Sequence, residues 1–252
     1  MNLSFTSNQF LAETGVRVPA VTAEQMRELD RIATDETGPT LLQMMENAGR
    51  SLALLTMDLL TSRFRSTRVV ILAGGGGNGG GGICGARHLS NHGVNVSLYL
   101  AASDRLSDAA SLQRKVFRST AGSEISAGQL MERAPDFIVD ALIGYSLKPC
   151  HSEAMSKLIR WANGQSVPIL SLDVPSGVEA TTGLVREEAI RPKWTLTLAL
   201  PKSGLNPRNS GQLFLTDIGI PVPVIRRLAP AYRSPYAKRF FVGIERVGIE
   251  GE

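Results

Sequence analysis

Apolar positions along this chain change their period at regular intervals. Val69-Val70-Ile71-Leu72, Val94-Asn95-Val96-Ser97-Leu98-Tyr99-Leu100, Phe137-Ile138-Val139-Asp140-Ala141-Leu142 and Val167-Pro168-Ile169-Leu170-Ser171-Leu172 are alternating or continuous apolar blocks that read as strands. Between them, apolar residues recur every three or four positions, the spacing of one helix face. Thr22-Ala23-Glu24-Gln25 carries a capping-box pattern, and Met26, Leu29, Ile32 and Ala33 share a face of the helix it opens, expected to run to about Asp35. Gly38-Pro39 then breaks the chain. Thr40 caps a longer helix with a buried stripe of Leu41, Met44, Met45, Ala48, Leu52 and Leu55, in which Glu46-Asn47 is an odd polar pair. Further helices are expected over residues 107–118 and 151–161, and the apolar blocks 194–200 and 212–216 can extend the sheet. Strands alternating with helices at this spacing imply right-handed βαβ units and a parallel sheet covered on both faces. Ligands of such sheets gather at the carboxyl edge of the strands.

Residues 71–89, ILAGGGGNGGGGICGARHL, follow the order strand, glycine loop, helix, with nine of the 25 glycines between Gly74 and Gly85. A loop without Cβ atoms admits a ligand closely, and free amides at a helix start attract anions, so the loop reads as a phosphate cradle. Polyglycine satisfies G-x-G-x-x-G in several registers, which makes that match weak. A flexible linker is the plainer reading, and the flanking strand and helix patterns count against it. No Lys-Ser or Lys-Thr follows, which argues against a P-loop nucleoside triphosphatase. Asn78 is the one side chain between Gly74 and Gly82.

Composition narrows the class. A chain of 252 residues with 43% apolar content can bury a substantial core. Its net charge of +4 suits an anionic small molecule and does not demand nucleic acid. Arg226, Arg227, Arg233, Lys238, Arg239 and Arg246 concentrate part of that charge late in the chain, where a solvated or docked surface is expected. The organisation expected is an arm over residues 1–20, one domain over 21–221 and a basic tail over 222–252. Cys84 and Cys150 form no C-x-x-C, so neither zinc nor a dithiol is indicated, and a reducing, cytoplasmic setting is expected. The apolar region 41–60 is interrupted by Glu46, Asn47, Arg50 and Asp58, so no membrane span is expected, and the start lacks the features of a secretory signal.

Candidate chemistry collects at the strand ends. Asn78, Asp140 and Asp173 each stand at or just past the carboxyl end of an expected strand, with Ser176 one turn beyond, so all four should converge on one crevice. Pro201-Lys202-Ser203-Gly204 is a turn that aims a lysine at the same edge. Amide, carboxylate and hydroxyl oxygens are hard donors that suit a group-one or group-two cation rather than zinc or copper. Taken singly, Asn78 could be a turn former, Asp140 a carboxylate holding loop amides and Ser176 a cap. Asp104 or Asp108 could touch a ribose or simply cap a helix; His88 and His92 lack a Glu-x-x-His pattern and read as surface residues, and Cys150-His151 is poor geometry for a dyad.

The ordered set MRELDRIATDETG, LLQMMENAGR, the glycine loop, VDALIGYS, LDVPSG and TLALPKSGL resembles the NAD(P)HX epimerase family, the YjeF N-terminal domain, over residues 21–221. The resemblance implies a Rossmann-like three-layer α/β/α sandwich with a mostly parallel central sheet, usually a homodimer. The substrate it implies is NADHX or NADPHX, a reduced nicotinamide cofactor with water added across C5=C6, whose R and S forms are interconverted. By the same resemblance a potassium ion would be held by Asn78, Asp140 and Ser176. Asp173 would act as acid/base, with Lys148 as a charged partner. The substrate would lie on Gly77, Asn78, Gly79, Gly80 and Gly81 and on Gly144, Tyr145, Ser146, Leu147, Lys148, Pro149 and Cys150. Two positions depart from the family loop G-x-G-N-N-G-G-D-G-L: Gly77 replaces its first Asn and Gly81 its Asp. Losing a charged hydrogen bond to substrate costs about 1.5–3 kcal/mol, and these departures carry the alternative reading, a weakly active member that binds a nucleotide or protein. An ordinary Rossmann dehydrogenase would need a ribose acid and a hydride-site acid/base pair, which the chain does not clearly offer.

Overall fold

The computed structural model describes residues 10–146, 152–185 and 187–247. Its strands are β1 (Phe10–Ala12), β2 (Arg17–Val18), β3 (Arg68–Ala73), β4 (Asn95–Leu100), β5 (Ser123–Ile125), β6 (Phe137–Ala141), β7 (Ile169–Leu172), β8 (Trp194–Leu198), β9 (Gln212–Thr216) and β10 (Phe241–Arg246). Its helices are α1 (Ala23–Ile32), α2 (Leu41–Leu60), α3 (Gly77–Asn91), α4 (Asp108–Phe117), α5 (Ala127–Met131), α6 (Glu153–Gly164), α7 (Pro207–Ser210) and α8 (Val222–Leu228).

One sheet holds all ten of these strands in the order β2-β1-β10-β9-β8-β7-β6-β3-β4-β5. From β9 to β5 every pairing is parallel, while β10, β1 and β2 close the far edge antiparallel. Successive residues of β3 face opposite ways. Val69, Ile71 and Ala73 join Ile83, Ala86 and Leu89 of α3 and Leu52 of α2 in one core cluster, and Val70 and Leu72 join Leu158 and Ile159 of α6 in another. With both faces covered, the molecule is a three-layer α/β/α sandwich whose central strands are continuously apolar. A third cluster, containing Leu29 of α1, Leu213 and Leu215 of β9 and Tyr232, fills the antiparallel end.

The expected capping box forms at Thr22 with Gln25, and the expected cap at Thr40 is completed as a second box by Gln43. The first helix is shorter than expected: α1 ends at Ile32 and the chain continues as one wide π turn, Ala33–Thr37. The three-residue strand β5, between α4 and α5, has no counterpart in the sequence reading. Residues 10–20 and 222–247, expected as arm and tail, supply β1, β2, α8 and β10. No helix among the described residues is long and apolar enough to cross a membrane.

The chain runs from β3 outward to β4 and β5, then returns to place β6 on the other side of β3. That reversal opens a crevice at the carboxyl ends of β3 and β6. The loops after β3, β6 and β7 line it, and the neighbouring β8 reaches it with its last residue, Leu198.

Candidate active site

A cavity of about 380 Å³ occupies this crevice. Gly76, Gly77 and Asn78 at the start of α3 form one wall, Gly144 and Tyr145 after β6 another, and Asp173 after β7 the base. Met44, Met45 and Ala48 of α2 with Leu172 and Leu198 make an apolar side, and Asp30 of α1 also lines it.

The start of α3 is uncapped: Gly76 offers no side chain, so the first amides of a fifteen-residue helix are left for a ligand. Asn78 is unusual there. Both its Oδ1 and its Nδ2 are shielded from solvent and have no hydrogen-bond partner. Gly144 brings the next walls together, for a Cβ on it would stand 3.2 Å from Asn78 Cγ and 2.9 Å from Asp173 Oδ2.

Asp173 adopts φ 70°, a left-handed conformation that Asp tolerates better than most residues. The turn points its carboxylate inward, where only 2% of the residue is exposed. Oδ1 accepts from Lys202 Nζ at 2.5 Å, and Oδ2 accepts from the Tyr145 amide at 3.0 Å. Lys202, wholly buried, also donates to the Leu198 carbonyl at 2.9 Å. Its turn is held by Val21, whose amide donates to the Pro201 carbonyl and whose carbonyl accepts from the Ser203 amide. The start of α1 is thereby fixed beside the lysine.

Asp140 is wholly buried and lies beneath the cavity. Oδ1 accepts from the Leu142 amide at 3.2 Å and Ser176 Oγ at 2.6 Å; Oδ2 accepts from Ser171 Oγ at 2.8 Å and the Ser176 amide at 2.9 Å. Burial pushes its pKa up, while the Ser176, Ser171 and Leu142 donors pull it down. Ser176 Oγ accepts in turn from the Ile143 amide at 2.9 Å. Asp140 and Ser176 therefore shape the loop that carries Gly144, while Asn78 and Asp173 face the open space. Gly79, Gly80 and Gly81 are buried along α3, and of these only Gly81 lines the cavity, as does Ser146 of the loop after β6. Leu147, Lys148, Pro149, Cys150 and His151 lie outside the described residues.

Two groups were not singled out as site residues from sequence. Lys202 was legible as a lysine aimed at this edge, yet its pairing with Asp173 was not. Asp30 was missed altogether: Tyr145 Oη donates to its Oδ2 at 2.6 Å, and burial raises its pKa despite the phenol and Lys202. The residues expected at the surface also differ in part. His88 is half-buried, and its Nε2 lies 2.8 Å from Glu46 Oε1. Glu46, Cys84 and His88 present potential metal-ligand atoms within 4.8 Å of one another, in a cluster that also contains Arg87, 2.5 Å from Glu46 Oε2 and 3.3 Å from Cys84 Sγ. Burial pushes the Cys84 thiol up to about 12 and His88 down, so thiol and imidazole are both held neutral beside the arginine. Asp108 sits in the first turn of α4, capped by Ser107.

A family model described as "YjeF-related protein N-terminus" matches residues 41–204. A protein of Dehalogenimonas lykanthroporepellens named NAD(P)H-hydrate epimerase is 47% identical, over 96% of this chain and 97% of its own length. The chicken protein named Enhancer of mRNA-decapping protein 3 is 30% identical over 94% of this chain, which spans 47% of that larger protein. The crystal structure of yeast ynu0 superposes with a TM-score of 0.74 at 24% identity, covering 92% of this chain and 96% of the yeast one, and so shares the fold. The chain belongs to the YjeF-related N-terminal family.

Proposed function

We propose that the chain is an NAD(P)H-hydrate epimerase that interconverts the R and S forms of hydrated NADH and NADPH. The observation that carries the reading is one cavity bounded by the uncapped start of α3, the unpartnered side-chain amide of Asn78 and Asp173, whose buried partner is Lys202. The near full-length similarity to the Dehalogenimonas protein supports it.

The amides of Gly77 and Asn78 suit the pyrophosphate. Met44, Met45 and Leu172 give the nicotinamide ring an apolar wall on the side of α2. The hydrate is a hemiaminal: its C6 hydroxyl leaves as water when an acid protonates it and the ring nitrogen donates its lone pair, and water returning to the other face gives the epimer. In this reading Asp173 takes or gives that proton, and its carboxylate is held by Lys202 and the Tyr145 amide. Lys148 is proposed as a further charged contact, and a homodimer in a cytoplasmic setting is the proposed form.

The residues fit a potassium ion. The four groups donating to buried Asp140 are all neutral, and among the described residues no basic side chain bonds to it. Asn78 Oδ1, Asp140 and Ser176 are hard oxygen donors of the kind an alkali ion takes. When bound, the ion would supply positive charge near the reacting ring and the pyrophosphate.

Incubation with purified R or S hydrate, followed by chromatography, should show the other epimer appearing. A chain that interconverts neither form, with or without potassium, is not an epimerase. A higher Tm in potassium than in lithium chloride at equal ionic strength, lost in Asn78→Ala, would support the ion site, and equal melting in both salts would remove it. The second reading, a binding module without strong activity, draws on Gly77, Gly81 and the similarity to the decapping protein.

A further inference from the structure

Tyr145 joins two carboxyl groups of the cavity. Its amide donates to Asp173 Oδ2 at 3.0 Å and its phenol to Asp30 Oδ2 at 2.6 Å, so one tyrosine spans the distance between them. Both aspartates line the cavity, and Lys202 Nζ lies 5.7 Å from the centre of the tyrosine ring. Their surroundings differ. Asp173 has an ammonium at 2.5 Å, whereas among the described residues no basic side chain hydrogen-bonds to Asp30. Resting on the epimerase reading, we propose that Asp30 is a second proton-handling group, a catalytic carboxyl that serves one face of the hydrated ring while Asp173 serves the other.

Removing and returning water on opposite faces needs proton transfer on both. Asp30 gives its proton to the C6 hydroxyl; the C6–O bond breaks, the ring nitrogen's lone pair forms the C=N bond, and water departs. A water on the opposite face then bonds to C6, the C=N pair returns to nitrogen, and the incoming water gives its proton to Asp173. One proton has moved from Asp30 to Asp173, and exchange with solvent restores the starting state. The reverse reaction uses the same path backwards. Two carboxyl groups in one cavity, one paired with an ammonium and the other hydrogen-bonded by a phenol, are suited to divide the proton transfers between them. Burial favours the protonated form of Asp30, the form that can lend a proton.

Among the described residues, the charged and titratable groups that act on Asp30 are Tyr145, Lys202 and Asp173, with Arg27 acting on the phenol. Glu28, Arg31 and Glu36 bond among themselves on the exposed side of this region, and α8 directs Arg227 to Glu36 and Arg226 to the Tyr232 carbonyl. In the direction in which Asp30 lends the proton, the acid is lost and turnover should fall as pH rises through the Asp30 pKa; in the other direction Asp30 is the base.

The test compares Asp30→Asn, which can still accept from the phenol but cannot lend a proton, with the unaltered chain in both directions across pH. The expected result is a kcat lower by about 10²- to 10⁴-fold with KM changed by less than about threefold, and no alkaline fall in what remains. Tyr145→Phe, which removes the phenol that stabilises ionised Asp30, should move the alkaline fall to higher pH, and it provides a second readout if Asp30→Asn does not fold. A kcat for Asp30→Asn within about threefold of the unaltered chain, or an alkaline fall left in place in both variants, overturns the proposal. An unaltered chain that interconverts neither epimer overturns the epimerase reading and this proposal together; activity in the unaltered chain with unmoved variants overturns this proposal alone.

Discussion

Lys202 is wholly buried with an aspartate as its counter-ion, so neither member of the pair can be removed quietly. Lys202→Met leaves the Asp173 carboxylate in a dry setting with the Tyr145 and Leu198 amides as partners. Breaking a buried pair by removing one member costs about 3–5 kcal/mol. Urea unfolding of Lys202→Met should show a loss of that size, and a loss below about 1 kcal/mol would mean that water or a neighbour already screens Asp173. Asp140 is equally buried but among the described residues lacks a basic partner, the contrast that makes a cation attractive there and unnecessary beside Asp173. At this scale the sequence was partly legible. Asn78, Asp140, Asp173 and Lys202 could be placed at strand ends because strand ends are readable from apolar runs. Asp30 could not, because on an amphipathic helix a carboxylate off the buried stripe looks like ordinary surface. Only the tertiary docking of Tyr145 against α1 reveals it.

The glycine loop and α3 separate glycines that packing requires from glycines that it does not. A Cβ at Gly74 would lie 2.0 Å from the Leu142 carbonyl oxygen, and one at Gly79 1.8 Å from that of Gly74, contacts no side chain could survive. At Gly77 nothing lies within 4 Å, while at Gly81 the nearest atom is Leu172 Cδ2 at 3.1 Å, tight but carried by a flexible side chain. Gly77→Asn should therefore fold normally, and Gly81→Asp should fold after a small shift of Leu172. Their effect on turnover distinguishes the two functional readings. An epimerase already adapted to the glycines should change by less than about tenfold in either variant, measured as the rate of hydrate interconversion. A gain of about 10²-fold or more on restoring both polar side chains would favour the weakly active binding module. The strand, loop and helix order here was legible because a short continuous β-branched apolar run gives way to helical spacing across the glycines. Strand β5 was not, since three residues at a sheet edge carry too short a pattern to count.

Across the whole molecule, the basic segment that follows residue 221 is part of the framework. Strand β10 lies between β9 and β1, pairing antiparallel with both. Val242 and Ile244 enter the same core cluster as Leu29 of α1 and Leu213 of β9. In sequence this strand hides among charges, because only two of its six residues are buried and Phe241 is half-exposed. The sheet therefore depends on residues distant in sequence, and α1, which carries Asp30, packs in the cluster they complete. A chain shortened after Leu228 would lose β10 together with Tyr232 and Tyr236, cutting the β1–β2 pair off from the rest of the sheet and leaving the edge of β9 unpaired. An unpaired β9 edge beside an opened core invites intermolecular pairing. The shortened chain should either aggregate or melt at least about 10 °C below the full chain, as a loss of several buried apolar side chains at about 1.5–3 kcal/mol each would dictate. Size-exclusion chromatography with thermal melting checks this, and a soluble, equally stable shortened chain would show that the parallel sheet and the Asp173–Lys202 site stand without the antiparallel edge.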